Sequence, residues 1–569
     1  MLSMNQDSYT DKLERFLRSN LNQAHIFAFY FAAIFLSAYF MSSILRPEIF
    51  TDDMVEWTSW AYTFQDPELF PNDIHKNYWM TNFPLGYEAI LKALSPLVDV
   101  ELLGKLLGFA LAGLSSFLAY VLGREITGGK VWGGIANVIF VSLCQFTTFP
   151  PFMFIGREAG GLPRGFALTI VLIGVIAALR RDLRWVGGAI LLGAIFYPPA
   201  CISLCSYVAL IVIYRLFKER SLPKGSFILA SLIAASGGIL IYNMLHSAQI
   251  TGAVYSFSQI VKMPEFHEGG MWPVLRERWS DYIVVDILML DQGITGVLWI
   301  FLLVVLFCFG ANNSIQKVRR PEVVFLPISA LANYIVANLV LLHLYEPSRY
   351  LVFPSQALTL CCFPFVFEAV FNWAAPRFIG VGASGALNKR VLGSSIAVIA
   401  IVGVLVFSAR LFFNRGGTDP MPNEVYSFLG ALPKDTLIAA TPVDGDRVPM
   451  RSRRSVFIIV NSLYPHHSGY YEEAKQRSFA LLAAMYDSGP ESLQALRRKY
   501  GIRYFVLNRN FTSGDSLSWF QPFKDYLAEF RSKIGGGQPY ILGLWNDAAV
   551  LQKGDYAVLD LDRLDPSPR

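Results

Sequence analysis

The chain has 569 residues, of which 54% are hydrophobic and 16% are charged, against about 25% charged residues in an average soluble protein. This composition excludes an ordinary soluble enzyme and indicates an integral membrane protein. The formal net charge of +5 does not indicate a nucleic-acid partner, because the basic residues stand between hydrophobic segments. All six cysteines lie in apolar runs without histidines at metal-ligand spacing, so neither a zinc site nor a disulfide framework is predicted.

Apolar runs of about 17 to 25 residues recur along the chain, the length that a helix needs to cross a hydrocarbon core of about 30 Å. The first run is too long for the core of a signal peptide and has no clear cleavage site after it, so we expect a retained anchor. The predicted spans are 24–44, 106–122, 131–149, 165–179, 185–214, 226–245, 293–311, 323–343, 351–373 and 391–409.

The run 185–214 is too long for one span and has basic clusters at both ends, at 180–184 and 215–224. If basic clusters mark the cytoplasm, both ends lie on the same side and the chain must turn back within the run. Tyr197-Pro198-Pro199 stands near its middle, where proline removes an amide donor and disfavours helix in the preceding residue. We therefore predict two short helices, each about 22 Å long.

This division gives about eleven helices and places every basic cluster on one side. The N-terminus is then cytoplasmic, and both the first large loop, 45–104, and the tail face outward. Short runs such as "TLIAATP", "SVFIIVN", "YFVLN" and "YAVLDLD" predict strands in the tail, and 471–486 and 491–500 predict helices. The fold class is thus a polytopic α-helical membrane domain over 1–414, followed by a small extracytoplasmic α/β domain over 415–569.

The outer loops carry few charged residues, and these are concentrated. Paired carboxylates just outside a membrane anchor can hold a divalent cation such as Mg²⁺ or Mn²⁺, or one can act as a general base. Arginine suits phosphate through its planar fork, and aromatic rings suit sugars. The candidate catalytic or metal-binding residues are Asp52 and Asp53, and the candidate substrate-binding residues are Trp57, His75, Arg157, Glu158, Arg164, His343 and Arg349.

Each candidate also has a structural interpretation. Asp52 and Asp53 could cap a helix that begins near Met54, and Arg157 and Glu158 could form an ion pair within their loop. His343 could be bonded to the backbone, and Arg349 could anchor at a lipid headgroup. The tryptophans could belong to an interfacial aromatic belt.

The arrangement resembles the GT-C superfamily of membrane glycosyltransferases, which includes the oligosaccharyltransferase catalytic subunit, protein O-mannosyltransferases and aminoarabinose transferases. As architecture the resemblance covers the whole chain, and in sequence it rests on "TDDMVEW", "YPP" and "EPSRYLVFP". The last piece is similar to a Pro-x-Arg-Tyr element of bacterial members. The tail has no Trp-Trp-Asp motif, a departure that disfavours transfer to asparagine in proteins.

The resemblance implies a first-loop acid at Asp52 or Asp53 with a base or metal role, a phosphate-side arginine at Arg349, and inversion at the sugar. The expected enzyme moves a hexose or pentose from a polyprenyl-phosphate donor to a lipid, glycan or protein acceptor on the outer side of a membrane, expected to be a bacterial inner membrane. Two other classes stay open: a lipid-linked glycan flippase, and a non-catalytic subunit of an envelope assembly.

Overall fold

The computed structural model describes residues 9–36 with gaps at 23, 26–27, 30–31 and 34–35, and then 52–144, 161–220, 223–275, 320–378, 420–512, 519–534 and 538–564, without the Asp52 side chain. The helices, in chain order, are α1 (Tyr9–Ser19), α2 (Asp52–Trp57), α3 (Ile74–Asn82), α4 (Leu85–Leu94), α5 (Val100–Ile126), α6 (Val131–Cys144), α7 (Phe166–Leu179), α8 (Leu183–Phe196), α9 (Pro198–Glu219), α10 (Ser226–Thr251), α11 (Phe257–Ile260), α12 (Pro321–Val340), α13 (Arg349–Phe378), α14 (Asn423–Gly430), α15 (Val448–Ser452), α16 (Ser468–Tyr486), α17 (Glu491–Tyr500), α18 (Phe523–Ile534) and α19 (Tyr540–Gly543). The strands are β1 (Leu437–Ala440), β2 (Ser455–Val456), β3 (Tyr504–Asn508), β4 (Ala549–Lys553) and β5 (Tyr556–Asp560).

Helices of membrane-spanning length and composition confirm a polytopic membrane protein. Within the described residues five helices are long and apolar enough to cross a membrane, namely α5, α9, α10, α12 and the first part of α13, and α6, α7 and α8 are shorter apolar helices. The predicted spans 293–311 and 391–409 lie outside the described residues, and 24–44 and 131–149 are described only in part. The predicted total of eleven therefore stays a prediction.

Two compact units divide the chain, and unit 1 comprises 1–49, 104–240 and 279–416. Its core is built around α7, whose sequence "FALTIVLIGVIAAL" has no charged residue and is buried on nearly every face. A helix that is apolar on every face is stable when other helices or lipid surround it on every side. Helices α8, α9 and α13 supply that cover, together with contacts from α12.

The predicted break within 185–214 is present. Helix α8 ends at Phe196 and α9 begins at Pro198, with Tyr197 in an extended conformation at φ −155° and ψ 91°. Proline is tolerated here because the first helical residue has no intrahelical use for an amide proton. The two helices pack closely, since a Cβ on Gly193 would lie 2.6 Å from the Cys201 amide nitrogen.

The predicted length is right for α8 and wrong for α9. Helix α8 has 14 residues, about 21 Å, as expected. Helix α9 has 22 residues, about 33 Å, so the prediction of a second short helix was wrong. It continues past the apolar run because Arg215 is buried in an ion pair, 2.7 Å from Glu322 of α12.

Unit 2 comprises 50–103, 241–278 and 417–569 and contains the α/β fold predicted for the tail. The sheet has the order β2-β1-β3-β5-β4, in which β1 is parallel to β2 and β3, and β5 is antiparallel to β3 and β4. Three of the quoted runs form β1, β3 and β5, whereas "SVFIIVN" supplies only the two residues of β2, and β4, "AVLQK", was not predicted. The two predicted helices are α16 and α17.

The first large loop belongs to unit 2, whereas the sequence analysis grouped it with the membrane domain. Carboxylates of the loop pair with basic residues that follow 417: Arg451 lies 2.8 Å from Glu101, and Lys434 lies 2.7 Å from Asp66. In addition, the Trp79 indole donates a hydrogen bond to the Ser462 hydroxyl at 3.0 Å. These contacts depend on pairings across hundreds of residues, which no local pattern in the sequence reveals.

Candidate active site

The acidic helix α2 begins at Asp52, two residues earlier than predicted. Asp52 and Asp53 therefore lie in its first turn, where carboxylates favour the positive end of the helix, and not at the capping position before Met54. Asp53 is half-buried. The helix packs against α3, α15 and the segments 445–447 and 460–462, which fix its position within unit 2.

A second acid of this helix, Glu56, points into unit 2. It is 4% exposed, and the Asn461 side chain donates a hydrogen bond to its Oε1 at 2.8 Å. Because a buried carboxylate needs donors to offset desolvation, Glu56 ties the helix to segment 460–462. Glu56 belongs to the quoted stretch "TDDMVEW", but the sequence analysis gave it no role.

Asp446, which the sequence analysis did not single out, lies in the segment 445–447 that contacts the acidic helix. Its Oδ1 accepts a hydrogen bond from the Val460 amide at 2.6 Å. Burial raises the pKa of Asp446 to about 7, despite the opposing effect of that bond. Its position shortly after a parallel strand, in "TPVDGDR", was the available signal, because loops at the carboxyl ends of such strands often carry functional groups.

The aromatic residues of the first loop form a packed cluster in unit 2. Trp57 stacks on Trp79 with ring centroids 4.9 Å apart and meets the edge of Tyr464 at 5.8 Å. Trp79 also contacts the edge of Tyr464 at 5.3 Å. Aromatic pairs of this kind stabilise packing by about 0.5–1.5 kcal/mol each. These contacts give Trp57 a defined packing role, and its predicted contact with a sugar stays a proposal.

His75 is a buried structural residue of unit 2. Its Nε2 accepts a hydrogen bond from the Ile459 amide at 3.2 Å, so Nδ1 carries the proton and donates to the Tyr470 hydroxyl at 2.9 Å. Burial lowers the pKa of His75 to about 3, which keeps the ring neutral. With both ring nitrogens engaged, we leave His75 out of the substrate-binding residues that we propose below.

Two of the predicted boundary residues belong to unit 1. His343 is exposed, and its Nδ1 donates a hydrogen bond to the Val340 carbonyl oxygen at 3.0 Å, which is the structural interpretation given above. Arg349 is 9% exposed, and its Nε donates to Glu346 Oε2 at 2.7 Å. Protein covers Arg349, so it is not placed as an exposed headgroup anchor would be.

Arg164 and Arg349 converge on the helix break in unit 1. Phe166 stacks on Phe196 at 4.8 Å, and this contact brings the turn Pro163–Gly165 beside the break. Phe353, one turn after Arg349, meets the edge of the Tyr197 ring at 5.2 Å. Both arginines act electrostatically on Tyr197. We call Arg164, Tyr197 and Arg349 the arginine pocket.

The arginine pocket has the chemistry of an anion site. Two guanidinium groups lie there, and α7, α9 and α13 begin there with the positive ends of their dipoles. The Tyr197 hydroxyl is buried and has no hydrogen-bond partner among the described residues, so it can donate to a ligand. The sequence analysis found both arginines and the break but not Tyr197, whose signal was its place before Pro198.

Some predicted residues cannot be located. Arg157, Glu158 and the Asp52 side chain lie outside the described part of the chain. Within that part, no group of three or more histidine, cysteine, aspartate or glutamate residues is arranged to hold a metal ion. We therefore derive no step through Mg²⁺ or Mn²⁺.

No protein-family model and no curated protein matches the chain. Its structure is similar to ArnT from Cupriavidus metallidurans, solved with undecaprenyl phosphate, at 14% identity and TM-score 0.49, over 93% of this chain and 97% of that one. It is also similar to the oligosaccharyltransferase of Archaeoglobus fulgidus in the apo form, at 11% identity and TM-score 0.46, over 92% and 73% of the two chains. The same archaeal protein with a dolichol-phosphate and an inhibitory peptide matches at 10% identity and TM-score 0.43, over 85% and 69%.

Proposed function

We propose that this protein is a membrane glycosyltransferase that moves one sugar from a polyprenyl-phosphate donor to an acceptor hydroxyl, with inversion at the anomeric carbon. The observation on which the proposal mainly rests is the arginine pocket, an anion site at a break between apolar helices. A donor of this kind has its phosphate attached directly to a long apolar chain, so it needs both features together.

The proposed roles are assigned unit by unit. In unit 1, Arg349 and Arg164 neutralise the phosphate that leaves with the polyprenyl chain, and the Tyr197 hydroxyl donates a hydrogen bond to it. In unit 2, Asp53, or Asp52 beside it, takes the proton of the acceptor hydroxyl as its oxygen bonds to the anomeric carbon. The bond between that carbon and the phosphate oxygen breaks in the same step, and the phosphate takes the electron pair.

The ligand class agrees with the neighbouring structures, since ArnT was solved with undecaprenyl phosphate and the archaeal oligosaccharyltransferase with a dolichol-phosphate. We place the enzyme in a bacterial inner membrane, with the N-terminus in the cytoplasm and residues 415–569 outside. The acceptor is a lipid, a glycan or a protein.

A divalent cation held by Asp52 and Asp53 is a separate proposal. Its test is to measure the transferase activity in EDTA, with and without added Mn²⁺.

The test of the arginine pocket uses purified protein and a panel of synthetic polyprenyl-phosphate sugars, with release of free polyprenyl phosphate as the readout. Arg349→Gln should lower kcat/KM by about tenfold to a hundredfold, because a hydrogen bond to a charged group is worth about 1.5–3 kcal/mol. Arg220→Gln changes an exposed arginine at the end of α9 and serves as the matched control. Equal activity of the two variants would refute the phosphate role.

A further inference from the structure

A cavity in unit 1 lies between α5, α6 and the described residues of the segment that follows α1, which are His25, Ala28, Phe29, Ala32, Ala33 and Leu36. It has a volume of about 760 Å³, and its walls are mostly apolar. Small residues create the space: Ala28 and Ala32 are four residues apart, the spacing of one helical face, and together with Ala33 they share the cavity with Gly113 of α5. The cavity is open at its side, where Phe29 and Phe117 are 72% and 61% exposed.

Polar groups gather at one end of this cavity. His25, Tyr120 and Arg124 line that end, with the His25 ring against the edge of Tyr120 at 5.9 Å and the Arg124 guanidinium 6.0 Å from the Tyr120 ring centre. The buried Nε2 of His25 and Nε of Arg124 have no hydrogen-bond partner among the described residues.

The acids near Arg124 already have partners. Glu14 is bound to Arg18 and Asp11 to Lys130, while Glu125 is bound to Arg180. No carboxylate in the described part of the chain lies within ion-pair distance of Arg124. This end of the cavity is therefore complementary to an anion.

We propose that this cavity binds one phospholipid, with an acyl chain between α5 and the side of Ala28, Ala32 and Ala33, and with the phosphate at Arg124 and His25. The lining runs from Phe109 to Arg124 of α5, about 22 Å, which matches one leaflet with its headgroups, about 20–22 Å. The volume falls within the range of about 300–1,000 Å³ for sites that hold one drug-sized ligand. That size suits an acyl chain better than the much longer chain of a polyprenyl phosphate.

The experiment is native mass spectrometry of the full-length protein, delipidated in mild detergent and then mixed with phosphatidylglycerol or, in a second arm, with a polyprenyl phosphate. Gly113→Phe fills the cavity, because a Cβ at this position already lies 3.7 Å from Leu36. Gly237→Phe is the matched control, since nothing lies within 4 Å of its Cβ position. Arg124→Gln removes the positive charge that would bind the lipid phosphate, without filling the cavity. Arg220→Gln is its control.

Wild type and both controls should bind one phosphatidylglycerol, and Gly113→Phe should bind none. Arg124→Gln should bind about tenfold more weakly, as expected for the loss of a charged hydrogen bond. Melting curves identify any variant that does not fold. If Gly113→Phe does not fold, the comparison of Arg124→Gln with its control still tests the proposal. The proposal is overturned if wild type binds no phospholipid, if Gly113→Phe binds phosphatidylglycerol as tightly as wild type, or if only the polyprenyl phosphate binds.

Discussion

At the scale of single residues, burial determines the protonation of several groups in unit 2. Burial lowers the pKa values of His75 and His466 to about 3 and raises that of Asp446 to about 7. None of these shifts is visible in the sequence, where the residues look like ordinary loop residues. They depend on which segments cover them, and therefore on the tertiary fold.

The raised pKa of Asp446 predicts a pH-dependent contribution to stability. A carboxyl with a higher pKa in the folded state binds more protons when folded, so its contribution to the free energy of unfolding falls as pH rises from about 4 to about 7. Asp446→Asn imitates the neutral carboxyl at every pH. Its melting temperature should match wild type at pH 4 and exceed it at pH 8.

The difference between variant and wild type isolates Asp446 from the buried histidines, whose lowered pKa values have the opposite effect on stability below pH 6.5. The measurement is thermal unfolding in detergent, followed by the fluorescence of unit 2 tryptophans. A melting difference that is the same at both pH values would show that folding does not raise the pKa of Asp446.

At the scale of elements, the hairpin of α8 and α9 shows what the sequence reveals and what it conceals. The length of the apolar run, its flanking basic clusters and Pro198 together predicted the break. The length of α9 was underestimated, because hydrophobicity ends at Tyr214 while the helix continues to Glu219. Only the buried partner of Arg215, supplied by α12, explains that extension.

The close packing of the hairpin predicts a strong effect at one glycine of α8 and a weak effect at another glycine of the same helix. Gly193→Leu should lower the melting temperature markedly, because its Cβ would overlap the Cys201 backbone, and overpacking of this kind costs about 1–3 kcal/mol or more. Gly188→Leu in the same helix faces open space and should be neutral or stabilising. Equal effects would mean that the two helices do not pack as described.

The buried ion pair gives the second prediction at this scale. Glu322→Gln leaves the Arg215 charge without its counter-charge, and breaking a buried pair costs about 3–5 kcal/mol. Glu219→Gln removes an exposed partner of Arg181, a kind of pair worth about 0–1 kcal/mol. Thermal unfolding of both variants in one detergent should therefore show a large loss only for Glu322→Gln, and similar losses would contradict the burial of this pair.

At the scale of the whole molecule, the sequence analysis identified the membrane class and the α/β tail, and it named Arg164 and Arg349, whose roles in the candidate site stay a proposal. Hydrophobic length and charge asymmetry are strong signals because the bilayer imposes them on every span. The grouping of the first loop with the tail was not predicted, because it depends on pairs such as Arg451 with Glu101. Tyr197 was missed for a similar reason, since its hydroxyl, which has no hydrogen-bond partner in the described part of the chain, gains a meaning only beside the two arginines.

The most direct test of glycosyl transfer is mass spectrometry of envelope glycolipids and glycoproteins from a deletion strain, complemented with wild type, Asp52→Asn or Asp53→Asn at matched protein levels. The proposed function predicts that the mass of one hexose or pentose is lost on deletion, returns with wild type, and fails to return with at least one aspartate variant. Full restoration by both variants would contradict it and would make the paired acids of α2 structural.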